Sequence, residues 1–238
     1  MRMTRDLEGW TIAFDLDGTL VETAPDLVGT LNRLLVRHDL PALSLEQARN
    51  YIGHGAVALL KQGFAAAGVA WDETASPALL EAFLTDYLAH IADESAAYPG
   101  AVEALDALAA RGAVLCVATN KPTELAVALF RGIGLEDRFA SICGPQSVSA
   151  RKPDAAHIRE AVLQAGGDPA RAVMVGDSIT DLDAARATGA PCILTTFGYT
   201  LTPAAELGAD ALIGHFDELP AAIDGLIGGQ ASRRASKA

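Results

Sequence analysis

A short apolar run, Trp10-Thr11-Ile12-Ala13-Phe14, stops abruptly at Asp15. The next run of the same kind, Val114-Leu115-Cys116-Val117-Ala118, arrives only about a hundred residues later. A crossover between parallel strands normally takes a few tens of residues. The later runs, Ala172–Val175, Cys192–Thr195 and Ala211–Ile213, come at ordinary distances. Stretches with helical spacing separate them: Val102, Leu105, Leu108 and Ala109; Ile158, Val162 and Ala165; Ile179, Leu182 and Ala185. Continuous apolar strands separated by helices imply a parallel sheet covered on both faces. The expected fold is therefore α/β, a Rossmann-like parallel sheet with a small all-helical cap domain inserted after its first strand.

The insertion reads as helix almost throughout. Pro25 suits an early helical position, and Leu27, Leu31, Leu34 and Leu35 come after it at helical spacing. Ser44 with Gln47 forms a capping box. Two more helices are expected over 56–67 and 77–91. Tyr98-Pro99-Gly100 marks the return. This divides the chain into a core of residues 1–20 and 96–230, a cap of residues 21–95, and a disordered basic tail over 231–238.

Composition narrows the partners. Of 238 residues, 50% are hydrophobic and 20% charged, which is ample apolar surface for a packed core and excludes disorder of the whole chain. The net charge of −12 disfavours nucleic acid and anionic lipid. No apolar run approaches membrane-spanning length, and the first residues lack a signal-peptide core, so a cytoplasmic location is expected. A monomer or homodimer is the expected assembly, a choice the sequence does not decide. Cys116, Cys143 and Cys192 lie far apart in apolar stretches and read as small buried hydrophobes. An acidic chain that handles an anionic substrate needs a local reversal of field, for which a bound divalent cation is the usual device.

Ligands of open parallel sheets bind beyond the carboxyl ends of the strands. The first strand delivers Asp15-Leu16-Asp17-Gly18-Thr19, the second Thr119-Asn120, and the run at 172–175 delivers Gly176-Asp177-Ser178 and then Asp181. Lys152 precedes Pro153 ahead of the intervening helix. Each piece has an ordinary alternative: Asp-x-Asp-Gly as a turn, Thr119, Asp177 or Ser178 as helix caps, Lys152 as a solvated lysine. Several carboxylates crowded at one edge nevertheless repel unless a cation holds them. An oxygen-only donor set suits Mg²⁺, and no His or Cys pattern suits Zn²⁺.

In order and spacing, Asp15-Leu16-Asp17-Gly18-Thr19, Thr119, Lys152 and Gly176-Asp177-Ser178-Ile179-Thr180-Asp181 resemble the four motifs of haloacid dehalogenase-type phosphohydrolases. The resemblance spans nearly the whole chain, including the inserted cap. Leu20–Asp26 and Ile52-Gly53-His54-Gly55 look most like the phosphoglycolate phosphatase branch, with Glu22-Thr23 where Asp-Ser is common and His54 where Asn is frequent.

The resemblance implies a phosphomonoester hydrolase acting on a small phosphorylated metabolite, 2-phosphoglycolate first. Asp15 would attack phosphorus and Asp17 would act as acid and then base. Thr119 and Lys152 would hold the phosphoryl oxygens, with Gly18, Thr19 and Asn120 alongside. Mg²⁺ would be bound by the Asp15 side chain, the Asp17 carbonyl and Asp177. Ser178 and Asp181 would stand behind these, Asp181 orienting Lys152 or a metal-bound water. The second Asp favours phosphate ester chemistry, since dehalogenases lack it. The loop Gly53-His54-Gly55, ahead of a helix start, is expected to cover the pocket and meet a distal carboxylate. Alternatives stay open: a sugar-phosphate phosphatase, a β-phosphoglucomutase-like phosphotransferase, or a signalling domain that accepts phosphate without turnover.

Overall fold

The computed structural model describes residues 5–49, 51–53 and 55–235. Six parallel strands form one sheet: β1 (Thr11–Phe14), β4 (Val114–Ala118), β5 (Ser141–Cys143), β6 (Ala172–Gly176), β7 (Cys192–Thr195) and β8 (Ala211–Ile213), in the order β5-β4-β1-β6-β7-β8. The expected parallel α/β sheet is thus present. It has one strand more than the periodicity reveals, because β5 has only three residues, one of them a serine, too few to show a pattern.

The two faces of the sheet are built from different residue sizes. Ile12, Phe14, Val117, Val173, Val175 and Ile193 point to one face, where α5 (Ala101–Ala110), α6 (Thr123–Gly132) and α10 (Leu219–Ala235) join the large cluster. Ala13, Cys116, Ala118, Met174 and Cys192 point to the other, covered by α7 (Ala155–Gln164) and α8 (Ile179–Thr188). Small side chains predominate there, with Met174 and Leu194 the larger strand residues. The three cysteines are buried and free, as the sequence suggests. Full burial of a side chain such as Phe14 contributes about 1.5–3 kcal/mol, so the central strand is a stiff platform.

Between β1 and β4 the chain leaves through β2 (Val21–Glu22) and returns through β3 (Ala96–Ala97), which pair antiparallel as a two-stranded ribbon. Beyond the ribbon lie α1 (Ala24–Arg37), α2 (Leu45–Arg49), α3 (Ala56–Ala66) and α4 (Ser76–Ala89). The capping box at Ser44 and Gln47 is formed in both directions, at 2.8 and 3.2 Å. Gly63 of α3 sits so close to Leu31 of α1 that any side chain there would collide with it.

The short helix α9 (Ala204–Leu207) precedes β8. Helix α10 continues to Ala235, so residues 231–235, expected in a disordered tail, are helical, and the rest of that tail, 236–238, lies outside the described residues. Ile179, expected on a buried face, is 44% exposed; it is the first residue of α8, just beyond the carboxyl end of β6. Among the described residues, no helix is long and apolar enough to cross a membrane.

Candidate active site

Strands added after β1 run first to one side of it and then to the other, so the order reverses between β1 and β6. The crevice at that reversal is where open α/β sheets bind ligands. Here it gathers Asp15 and Asp17 after β1, Thr119 after β4 and Asp177 after β6.

Asp15 continues the β1 ladder, its N–H donating to the Val175 carbonyl at 2.9 Å. Its carboxylate lies 2.9 Å from Lys152 Nζ, and the same ammonium donates to Asp181 Oδ1 at 2.6 Å. Lys152 is nearly sealed and Asp181 fully so, while Asp15 stays 14% exposed toward the cleft. Burial works against the Lys152 charge, but Asp15 and Asp181 outweigh it and raise its pKa. Asp181 also closes a capping box: Oδ2 accepts from Ser178 Oγ at 2.7 Å and Ser178 N–H at 3.1 Å. One carboxylate therefore starts α8 and aims Lys152.

The backbone turns sharply after Asp15. The N–H groups of Thr19, Leu20 and Val21 all converge on the Leu16 carbonyl. Gly18 has φ +80°, and a Cβ there would stand 2.7 Å from Asp177 Oδ2 and 2.8 Å from the Tyr199 ring. Only glycine fits both the turn and the approach of β6. The turn separates Asp17 from Asp15. Asp17 Oδ1 accepts from Thr23 Oγ1 at 2.7 Å and Lys121 Nζ at 3.0 Å, and its Oδ2 has no hydrogen bond among the described residues.

Asp177 is buried; its Oδ2 accepts from the Tyr199 N–H at 2.7 Å and its Oδ1 from Thr19 Oγ1 at 3.3 Å. Burial, then repulsion from Asp181 and Asp15, raises its pKa. Asp15 is raised as well, by burial first, with Lys152 opposing and Asp181 and Asp17 adding to the shift. Oxygens of Asp15, Asp177 and Asp181 lie within 4.8 Å of one another. Asp15 Oδ1 is buried without a well-aligned hydrogen bond, although Lys152 is close enough for an ion pair. Two carboxylates whose charges are poorly compensated, facing one cleft with oxygen donors only, fit a hard divalent cation. Asp181 is already engaged by Lys152 and Ser178, which leaves Asp15 and Asp177 as the side chains best able to bind it.

The remaining expected residues divide. Thr119 is buried at the end of β4, its Oγ1 accepting from the Lys121 N–H. The Asn120 side chain is turned to the Lys152 backbone, with both ends of its amide bonded there at 3.0 Å. It shapes the loop that presents Lys152. Thr19 is buried behind Asp177. Gly53 and Gly55 are exposed in the loop before α3, and His54 lies outside the described residues. Lys61 pairs with Glu73 on an exposed surface.

Sequence reasoning missed two groups. Lys121 comes directly after Thr119-Asn120, and reading one residue further along the second strand end would have found it. The other is a cluster around Glu22. Its carboxylate accepts from Tyr199 Oη at 2.6 Å, Arg49 at 2.8 Å and Tyr98 Oη at 3.1 Å. The Tyr199 hydroxyl accepts from the Thr23 and Ala24 N–H groups that open α1. Arg49 of α2 lies over the Tyr199 ring. The carboxyl end of β7, from which Tyr199 hangs, was the signal available.

Residues 12–195 match the model of the haloacid dehalogenase-like hydrolases. A phosphoglycolate phosphatase of Caulobacter vibrioides is 50% identical over 222 residues, covering 93% of this chain and 94% of that one. An N-acetylmuramic acid 6-phosphate phosphatase of Pseudomonas aeruginosa is 32% identical over 216 residues, covering 90% and 94%. Among solved structures, a predicted phosphoglycolate phosphatase from Haemophilus somnus superposes with a TM-score of 0.79 at 31% identity, covering 91% of this chain and 97% of that one.

Proposed function

Because this chain belongs to the haloacid dehalogenase-like hydrolases, we propose that it is a cytoplasmic phosphatase that hydrolyses 2-phosphoglycolate through a phosphoryl group carried on Asp15. The observation that carries this reading is the division of labour at the end of β1. Asp15 and Asp17 are two residues apart, yet each faces the cleft with its own buried lysine.

Asp15 attacks phosphorus from the cleft, with Lys152 keeping its carboxylate in place. Lys152 and Thr119 stand where they can hold phosphoryl oxygens as charge shifts. Asp17 gives a proton from Oδ2 to the leaving oxygen. It then takes one from the water that releases phosphate from Asp15. This acid–base cycling is worth roughly 10²–10⁴-fold. Asp15, Asp177 and the Asp17 carbonyl would hold Mg²⁺. When bound, that ion supplies the positive charge that offsets repulsion between the Asp15 carboxylate and a phosphate dianion.

We take residues 1–20 and 96–230 as the catalytic core and residues 21–95 as the cap. The protein works as a monomer or homodimer. The loop around Gly53 and Gly55, with His54, meets the distal end of the substrate. The similarity to phosphoglycolate phosphatases over most of the chain supports this choice of substrate.

The test is a panel of phosphorylated metabolites ranked by kcat/KM, with Mg²⁺ and with EDTA. The expected result places 2-phosphoglycolate first and shows no turnover in chelator. A sugar phosphate at the head would change the substrate class. Full activity in chelator would remove the metal.

A further inference from the structure

Lys121 has no role in the chemistry described so far, yet its ammonium is buried, its side chain only 4% exposed, beside the acid–base carboxylate. Burying a charged amine is costly unless it is well paired. This one has two partners from different parts of the molecule. On the core side it donates to Asp17 Oδ1 at 3.0 Å. On the other side it donates to the Tyr87 hydroxyl at 2.8 Å. Tyr87 belongs to α4 of the inserted helices, is 1% exposed, and stacks on Phe83 at 6.0 Å between ring centroids. The chain Tyr87–Lys121–Asp17 is therefore a direct polar link from the insertion to the sheet edge.

The consequence lies in which oxygen is held. Lys121 and Thr23 both donate to Oδ1. An oxygen with two donors serves as the carbonyl-type acceptor of a protonated carboxyl, so the transferable proton belongs on Oδ2, the oxygen left for the substrate. Holding Oδ1 fixes the side-chain rotation and so fixes where that proton points. Proton transfer demands hydrogen-bond distance to the leaving oxygen, and misplacement by about 1 Å costs on the order of 100-fold.

We propose that Lys121 is a positioning residue for Asp17, and that Tyr87 of the inserted helices sets the position of Lys121, so that the acid is aimed at the leaving oxygen when those helices rest on the core. The proposal rests on the reading of Asp17 as acid and base. Lys121 touches no reacting atom in this scheme, and it differs from Lys152, whose second partner is Asp181 of the core.

The experiment compares two esters whose leaving groups differ in their need for an acid. 2-Phosphoglycolate releases a basic alkoxide. p-Nitrophenyl phosphate releases a stable phenolate that leaves without protonation. The quantity read is kcat/KM for each, with KM tracked separately, in the wild type and in Asp17→Asn, Lys121→Met and Tyr87→Phe. Lys121→Met keeps the unbranched stem of the side chain and removes the donor.

The expected loss for Lys121→Met on 2-phosphoglycolate is about 10- to 100-fold, carried by kcat with KM within about twofold. Its loss on p-nitrophenyl phosphate is expected to stay within about threefold. Tyr87→Phe gives the same pattern at about two- to fivefold, and Asp17→Asn gives it most strongly. Equal losses on the two esters, a loss confined to KM, or no loss would overturn the positioning role. If Lys121→Met unfolds, Tyr87→Phe, which deletes one hydroxyl, decides by the same criteria. A flat Tyr87→Phe beside a leaving-group-dependent Lys121→Met would overturn the link to the insertion. Failure of the underlying reading looks different: the wild type turns over neither ester, or Asp17→Asn slows both alike.

Discussion

Lys152 and Lys121 are both buried at the carboxyl edge of the sheet, each with Nζ within 3.0 Å of a carboxylate just beyond β1. Their second partners lie in different regions. Lys152 is completed by Asp181, which is itself locked into the start of α8. Lys121 is completed by Tyr87 of α4. The region around Asp15 is thus closed within the core. The region around Asp17 borrows Tyr87 from the insertion and Thr23 from the entrance to α1. Under the proposed mechanism, in which Asp15 attacks and Asp17 carries the proton, the nucleophile needs a constant position through the cycle, and core contacts provide one. An acid–base group gains by being set only when substrate is enclosed, since water in an open cleft would compete for its proton.

The largest effect tests the closed region. Asp15→Asn should lower phosphate release by about 10⁴-fold or more. It should leave the melting temperature unchanged or raised, because burial already penalises the Asp15 anion. A variant that loses activity together with its fold would show that the core region is not self-sufficient.

A smaller effect tests the borrowed region. Arg49 is a third exposed and joins α2 to Glu22. A pair of that kind contributes about 0–1 kcal/mol in water, so Arg49→Met should move the melting temperature by no more than about 2 °C. The same change should lower kcat/KM on 2-phosphoglycolate about two- to fivefold, since the insertion loses its tie to the ribbon. Unchanged kinetics would assign Arg49 to surface packing alone.

The smallest effect concerns the loop that carries Lys152. His157 is fully buried, with Nδ1 2.9 Å from the Ala150 carbonyl. Burial, and after it the Lys152 charge, lowers its pKa below the ordinary 6.5. The unfolded chain then binds the proton more readily than the folded one. Its contribution to stability is complete above about pH 6.5 and is lost as pH falls below that toward the lower pKa of the folded state, by at most about 1.4 kcal/mol per pH unit. Urea denaturation at pH 7.5 and 5.5 should show the wild type losing more stability than His157→Gln. Parallel losses would remove His157 as the cause.

Much of this architecture was legible in the sequence, for reasons visible in particular residues. Runs such as Ala172–Val175 are apolar throughout because parallel strands are covered on both faces, and they end where the sheet ends. Asp15, Asp17, Thr119 and Asp177 stand immediately beyond such ends, so the strand ends alone pointed to them. β5 escaped because three residues at a sheet edge carry no periodic signal. Asn120 looked like a ligand and turned out to hold the Lys152 backbone, since an amide at a strand end can face the cleft or the neighbouring loop equally well.

What the sequence by itself determined is the order of five of the six sheet strands, the helical insertion after the first of them and the set of groups at the strand ends. These arise from local periodicity and from the direction of parallel strands. Only the tertiary structure decided which partner each group takes. Tyr87 and Lys121 are 34 residues apart, and Glu22 and Tyr199 are 177 apart. Such pairings depend on where whole helices come to rest, which no spacing within one element records. The contacts that join the insertion to Asp17 are of this kind.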